Sequence, residues 1–282
     1  MSMLLRRALT GLLAALLLAG GAHAQTLEHI RTTGKVVVAI ADEAPYGYRD
    51  ADGRVTGEAP EIARLVLAQI APEAEIEWVS VDFGQLIPRL QDGSIDIAAA
   101  GMFVTPARCA EVAFSDPTYL VGEAFAVAAG NPKGLTNYVS ISNDPSAKVG
   151  LIAGTVEYNY ALVTGIPADR ALLYRSFAKA IEALKEGAVD AVGLTSLSAQ
   201  SMARDDPALD ATAQFFPSLD GVVTKGYGGF AFRQEDQDLV AAFNAELARL
   251  IGGDAHLALV EPFGFTADML PDQTADALCL GT

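Results

Sequence analysis

The chain has 282 residues, 51% of them apolar, and a formal net charge of −16. That much apolar material excludes a disordered chain, and the acidic excess argues against nucleic acid or anionic lipid as a partner. Two cysteines and three histidines are too few for a disulfide-dense scaffold or a Cys/His metal cluster, so no metal or other cofactor is expected.

Residues 1–24 read as a secretory signal peptide: Arg6 and Arg7, then the apolar run 8–19, then Ala22-His23-Ala24 as a small-x-small cleavage site. Cleavage after Ala24 removes 24 of 282 residues, leaving 258. The segment holds two Arg and no acid, so its loss takes the net charge from −16 to −18. No cysteine follows the cleavage site at once, so a periplasmic, soluble protein is expected in place of a lipid-anchored one. In that oxidising compartment Cys109 and Cys279 are expected to pair, with two free thiols as the alternative. The loop so closed would add roughly 4–5 kcal/mol at most in the chain-entropy picture.

Residues 35–41, KVVVAIA, read as a first buried strand, and Glu43 and Tyr46 follow its carboxyl end. A helix from Pro60 puts Ile62, Leu65, Val66 and Ile70 on its core face. Residues 76–81 alternate like a strand; Asp82 and Gln85 resemble a capping box, and Phe83 falls at that helix start. The run 95–100 is a further buried strand. It leads to Gly101-Met102-Phe103-Val104-Thr105-Pro106-Ala107-Arg108, where Thr105 is a good N-cap and Pro106 suits the first helical position. Arg108 then sits in a first helical turn, against the helix dipole, where it wants an anion.

Beyond the strand 123–129, Gly130-Asn131-Pro132-Lys133-Gly134 interrupts the pattern and reads as a crossing into a second lobe. There a new series begins: strand 148–153, Gly154-Thr155-Val156-Glu157 turning into a helix, strand 172–174, a helix capped by Ser176, and strand 189–194. The Gly-rich run 226–229 reads as the return crossing. The expected division is lobe 1 over 25–129 and 225–282 and lobe 2 over 130–224. Two crossings suit a hinge-closing α/β clamshell with the ligand cleft between its lobes.

The strand ends of such a clamshell offer one guanidinium (Arg108), one carboxylate (Glu43) and three rings (Tyr46, Phe83, Phe103). Backbone N–H groups at Thr155 and Val156 open a helix and favour an anion. Taken singly, Glu43 is equally a solvated loop acid, Tyr46 a packing residue and Phe83 a hydrophobic staple. Together they draw a small zwitterion, with its carboxylate on Arg108 and its diffuse cation against the rings and Glu43. The mature chain keeps only His29 and His256, neither at this rim, and has no nucleophile elbow or phosphate-cradling loop, so binding is favoured over catalysis.

At these residues the sequence resembles the periplasmic solute-binding proteins of polar amino-acid ABC transporters. GMFVTPAR followed by FSDPTY is similar to their sheet-end motif, whose Arg holds the ligand carboxylate. The resemblance implies two α/β lobes joined by two strands and delivery of the ligand to a membrane permease; a monomer is expected. Two positions depart from the amino-acid binders: Phe103 stands where a Thr is usual, and Thr195 stands where an Asp for the α-ammonium is usual. Both departures suit the ectoine/hydroxyectoine-binding branch, which segments such as Glu43 to Tyr46, Phe103 to Cys109 and Gly154 to Glu157 also resemble. By that likeness Tyr46, Phe83 and Phe103 would box the ligand ring, Arg108 and Thr155 would hold its carboxylate, and Glu43 would take its N–H groups. A binder of another polar or cationic amino acid is the alternative within this class. A small-acid dehydratase on the same clamshell is the alternative outside it.

Overall fold

The structure, a computed structural model, describes residues 26–219 and 221–281. The signal segment and its cleavage site lie outside the described residues. In chain order the main strands are β1 (Lys35–Ile40), β2 (Glu75–Ser80), β3 (Ile97–Phe103), β4 (Ala113–Phe114), β5 (Tyr119–Val121), β6 (Glu123–Ala128), β7 (Val149–Ile152), β8 (Ala171–Tyr174), β9 (Ala191–Thr195), β10 (Leu209–Ala211) and β11 (Gly226–Phe232).

They form two open sheets. The first runs β2-β1-β3-β11-β4, with β5 also on β11; the second runs β8-β7-β9-β6-β10. In each, the central pairs are parallel and the strand that crosses over joins antiparallel. Helices cover the faces, so β3, β7 and β9 are buried on both sides and read as almost unbroken apolar runs. The helix Glu58–Ile70 starts two residues before Pro60, the expected opener, and buries Ile62, Val66 and Ile70 as expected; Leu65, read onto the same face, is exposed.

The first crossing lies at Gly122, eight residues before the turn at Gly130. Strand β6, expected in the first lobe, pairs with β9 and β10 in the second sheet, so the boundary at 129/130 moves back to Gly122. Gly130 and Asn131 take positive φ (80° and 44°) in an ordinary turn after β6. At Gly122 a Cβ would meet Phe215 O at 2.8 Å, because the outgoing and returning segments touch there. Strand β11, which belongs to the first sheet, begins at Gly226.

Glycine-rich β11 is glycine-rich for a packing reason. A Cβ at Gly226 would stand 2.2 Å from the Phe103 ring, and one at Gly228 2.0 Å from the Tyr119 ring, so both rings press against bare backbone. Cys109 and Cys279 form the expected disulfide, with Cα atoms 5.6 Å apart across 170 residues of sequence. It fastens the helix Ala275–Leu280 to the short helix Pro106–Cys109 that carries Arg108. Among the described residues no helix is long and apolar enough to cross a membrane.

Candidate functional site

Strand β3 ends at Phe103, and the helix start that follows is built as its sequence dictates. Pro106 sits at the first position and the Thr105 hydroxyl accepts the Arg108 backbone N–H at 3.3 Å. The Arg108 side chain turns back over the strand end, only 8% exposed. Its Nη1 donates to Phe103 O and its Nη2 to Gly154 O, both at 2.8 Å, so this one guanidinium touches both lobes. Its Cζ lies 5.5 Å from the centre of the Phe83 ring. No carboxylate of the described residues lies within ion-pair distance of it. Burial pulls its pKa below the ordinary arginine value, against the opposing charge of Glu157.

The guanidinium faces a small cavity between the two sheets' carboxyl ends. Its walls carry Glu43, Phe83, Phe103, Arg108, Thr155, Val156, Glu157, Phe177 and Thr195. Seven of these were named from sequence. Glu157 and Phe177 were not, although each had a sequence signal: an acid in a first helical turn, and an aromatic just after the N-cap Ser176 at a strand's carboxyl end. Phe177 meets Phe83 edge-on, with centroids 6.3 Å apart.

Tyr46 is not on the cavity wall. Its ring is fully buried against Tyr119 (5.1 Å) and Phe265 (5.7 Å), one layer behind. Gly101, at φ +66°, makes room for it: a Cβ there would stand 2.6 Å from that ring. The Tyr46 hydroxyl instead donates to Thr195 Oγ1 at 2.8 Å. Thr195 is in turn the N-cap of the helix Ser196–Asp205, accepting from Ser198 N. The Ser198 hydroxyl, which sequence reasoning missed, donates to Glu43 Oε1 at 2.6 Å. These two bonds and Arg108–Gly154 latch the lobes together. Gly84 and Gly154 meet backbone to backbone at the same seam, where a Cβ on Gly154 would stand 2.6 Å from Gly84 Cα.

The acidic side of the cavity is built of buried carboxyls. Glu43 is 5% exposed, and burial pushes its pKa up to about 8; the Ser198 hydroxyl works the other way and Glu157 adds to the rise. Burial likewise raises Glu157, opposed by the Thr155 hydroxyl, its own backbone N–H and Arg108. The helix start expected to serve an external anion therefore already carries Glu157's own carboxyl. Among the described residues, no group of three or more His, Cys, Asp or Glu side chains is placed to hold a metal.

The same chain is similar to known binding proteins along most of its length. Residues 36–263 match the family described as bacterial extracellular solute-binding proteins, family 3. The probable amino-acid ABC transporter periplasmic-binding protein y4tE of Sinorhizobium fredii is 32% identical over 92% of this chain and 87% of its own. The lysine/arginine/ornithine-binding periplasmic protein of Escherichia coli is 27% identical over 73% of this chain and 78% of its own. Among solved structures, EhuB in complex with hydroxyectoine has a TM-score of 0.80 at 35% identity, covering 90% of this chain and 97% of that one. The two curated relatives are named as periplasmic binding proteins, the first of them as part of an amino-acid ABC transporter. The chain belongs to the bacterial extracellular solute-binding proteins, family 3, as the solute-binding subunit of an ABC amino-acid importer.

Proposed function

We propose that the cleft binds a small zwitterion of the ectoine/hydroxyectoine type and delivers it to the permease after lobe closure. The observation that carries this reading is Arg108: a buried guanidinium with no carboxylate partner, facing a cavity with aromatic and acidic walls. A buried cation is stable only when paired, and a ligand carboxylate supplies the pair bidentately. Two of the five N–H donors are already used on Phe103 O and Gly154 O, which fixes the plane of the fork. Phe83, Phe103 and Phe177 offer ring faces and edges to a flat apolar body. Glu43, opposite, takes the delocalised N–H cation. The likeness to EhuB with hydroxyectoine supports the choice within the family.

Tyr46 acts in this reading as a support, holding Thr195 and the second lobe, in place of a face of the box. Its hydroxyl spends itself inside the protein. Thr155 and Val156 contribute wall, and the Thr155 hydroxyl, which donates to Ile152 O at 2.9 Å, has little left for a ligand anion.

Isothermal titration of the mature, ligand-freed protein against ectoine, hydroxyectoine, glycine betaine, glutamine and arginine tests the proposal. Tight one-to-one binding of the ectoines alone is the expected result. If arginine or glutamine binds more tightly than either ectoine, the site belongs to an ordinary amino acid.

A further inference from the structure

At and behind the cavity wall lie buried polar groups with incomplete hydrogen bonding. Glu123, at the start of β6 and 2% exposed, pairs in register with Thr195 of β9. Its Oε2, the Oε2 of Glu157 and the Tyr138 hydroxyl are all buried without a hydrogen bond of ordinary geometry, although the Tyr138 hydroxyl stands close enough to the Glu123 carboxyl to favour its charged form. Gly193 on β9 brings them together: a Cβ there would stand 2.9 Å from the Tyr138 hydroxyl and 3.6 Å from Glu157 Cβ. Glu43 feels the charge of Glu157, and Glu123 that of Glu157 and Glu43, while Glu157 itself feels the cation among them, Arg108. Tyr46, Tyr119, Tyr138 and Tyr160, packed around the group, are held neutral by burial and by the same acids. Glu58 acts on Tyr46 and Tyr119 from the first lobe.

Three ionised carboxyls around one guanidinium would leave two uncompensated charges in a closed, buried cleft, a costly arrangement that protons relieve. We propose that the cleft takes its ligand in exchange for a proton: the ligand's carboxylate neutralises Arg108, its N–H cation pairs with Glu43, and the proton Glu43 carried passes to solvent. The O–H bond of the Glu43 carboxyl breaks, the ion pair with the cation replaces it, and the charge of Glu157 helps keep the proton on Glu43 until a cation arrives. Glu123 does not touch the cavity; burial first, then Glu157 and Glu43, raise its own carboxyl well above the usual carboxylate range, so it adds no charge to the wall. The rise of Glu43 to about 8 accords with this. The exchange rests on the zwitterion reading for its ligand, but any cation entering the cleft meets the same two carboxyls, Glu43 and Glu157.

Titration calorimetry at pH 7 in phosphate and in Tris, whose ionisation heats differ, counts the protons released. About one proton leaves per ectoine bound at pH 7, and the Kd weakens about tenfold per pH unit below that. In Glu157→Gln the profile moves to lower pH, and Glu43→Gln releases none. If neither ectoine binds, the zwitterion reading fails and the count is made with arginine or whichever cation does bind. A ligand-free arm stands apart from both: in protein ¹³C-labelled at the glutamate carboxyls, one signal titrates between pH 6 and 9 and is missing from Glu43→Gln. Identical heats in the two buffers, a Kd flat from pH 5.5 to 8, or all glutamates of the wild-type cleft titrating below pH 5.5 would each overturn the exchange.

Discussion

Truncating Arg108 to Ala removes both halves of what this side chain does. It takes away a bidentate pair with the ligand carboxylate, whose two charge-assisted hydrogen bonds are worth about 1.5–3 kcal/mol each. It also removes the 2.8 Å bond to Gly154 O that joins the lobes in the closed state. Because the guanidinium is 8% exposed, solvent cannot replace either interaction. The relief of a buried cation works in the opposite direction, so a net loss of about 3–5 kcal/mol is expected. That corresponds to a Kd raised roughly 100- to 4,000-fold. Arg108→Lys keeps the charge but not the planar fork, and should fall between parent and Ala. Titration calorimetry reads the affinities, and circular dichroism checks that each variant is folded. An Ala variant that folds normally and binds within threefold of the parent would refute the carboxylate clamp.

Phe103→Ala should weaken ligand binding by about 2–3 kcal/mol, since it removes a ring from the cavity wall and uncovers Gly226 beneath it; unchanged calorimetric affinity would contradict the ring's role. Tyr46→Phe keeps the ring packing and deletes only the 2.8 Å bond to Thr195, so affinity should fall about fivefold with the fold intact. A fall as large as that of Phe103→Ala would show Tyr46 touching the ligand. Neither cysteine of the exported protein should react with an alkylating reagent until reductant is added, and Cys109→Ser should lower the thermal midpoint by roughly 10 °C for the loop it opens. Glu58 is buried and its pKa is pushed up to about 7, so the native state holds a proton there that the unfolded chain, at the ordinary 4.5, releases. The stability it contributes is full below pH 4.5 and is lost as pH rises towards 7, by up to about 3 kcal/mol. Denaturant unfolding of Glu58→Gln at pH 5 and pH 7 should therefore show a smaller drop than the parent; an equal drop would place the titration elsewhere.

The local chemistry of the site was legible where one residue type has one strong reason to be where it is. Thr105, Pro106 and Arg108 announce a capped helix start with a misplaced cation, and the structure turns that cation into the cavity. Buried parallel strands announce themselves as apolar runs, so the positions of Phe103 and Glu43 at strand ends followed. The lobe boundary did not, because Gly130-Asn131-Pro132 is stronger punctuation than the single Gly122 between β5 and β6, yet only the latter lies between the sheets. Glycines 226 and 228 look like hinge flexibility in the sequence and prove to be seats for two rings.

What escaped the sequence was pairing across the closed cleft. Ser198 meets Glu43 across 155 positions, and Glu157 shares a cavity with Arg108 and acts on its charge, pairings that only the folded arrangement brings together. Tyr46 had the right strand end but the wrong layer: Gly101, with no Cβ, lets its ring slip behind the wall, where a phenol hydroxyl finds Thr195. A burial depth of one side chain cannot be read from spacing along a strand.

The most direct test of the account is a crystal structure of the mature protein with ectoine bound. The ligand carboxylate should fork onto Arg108, its ring should lie among Phe83, Phe103 and Phe177, and its N–H groups should meet Glu43, with Tyr46 still bonded to Thr195. A ligand turned end for end, with its carboxylate away from Arg108, would contradict the account, and so would one seated outside this cavity.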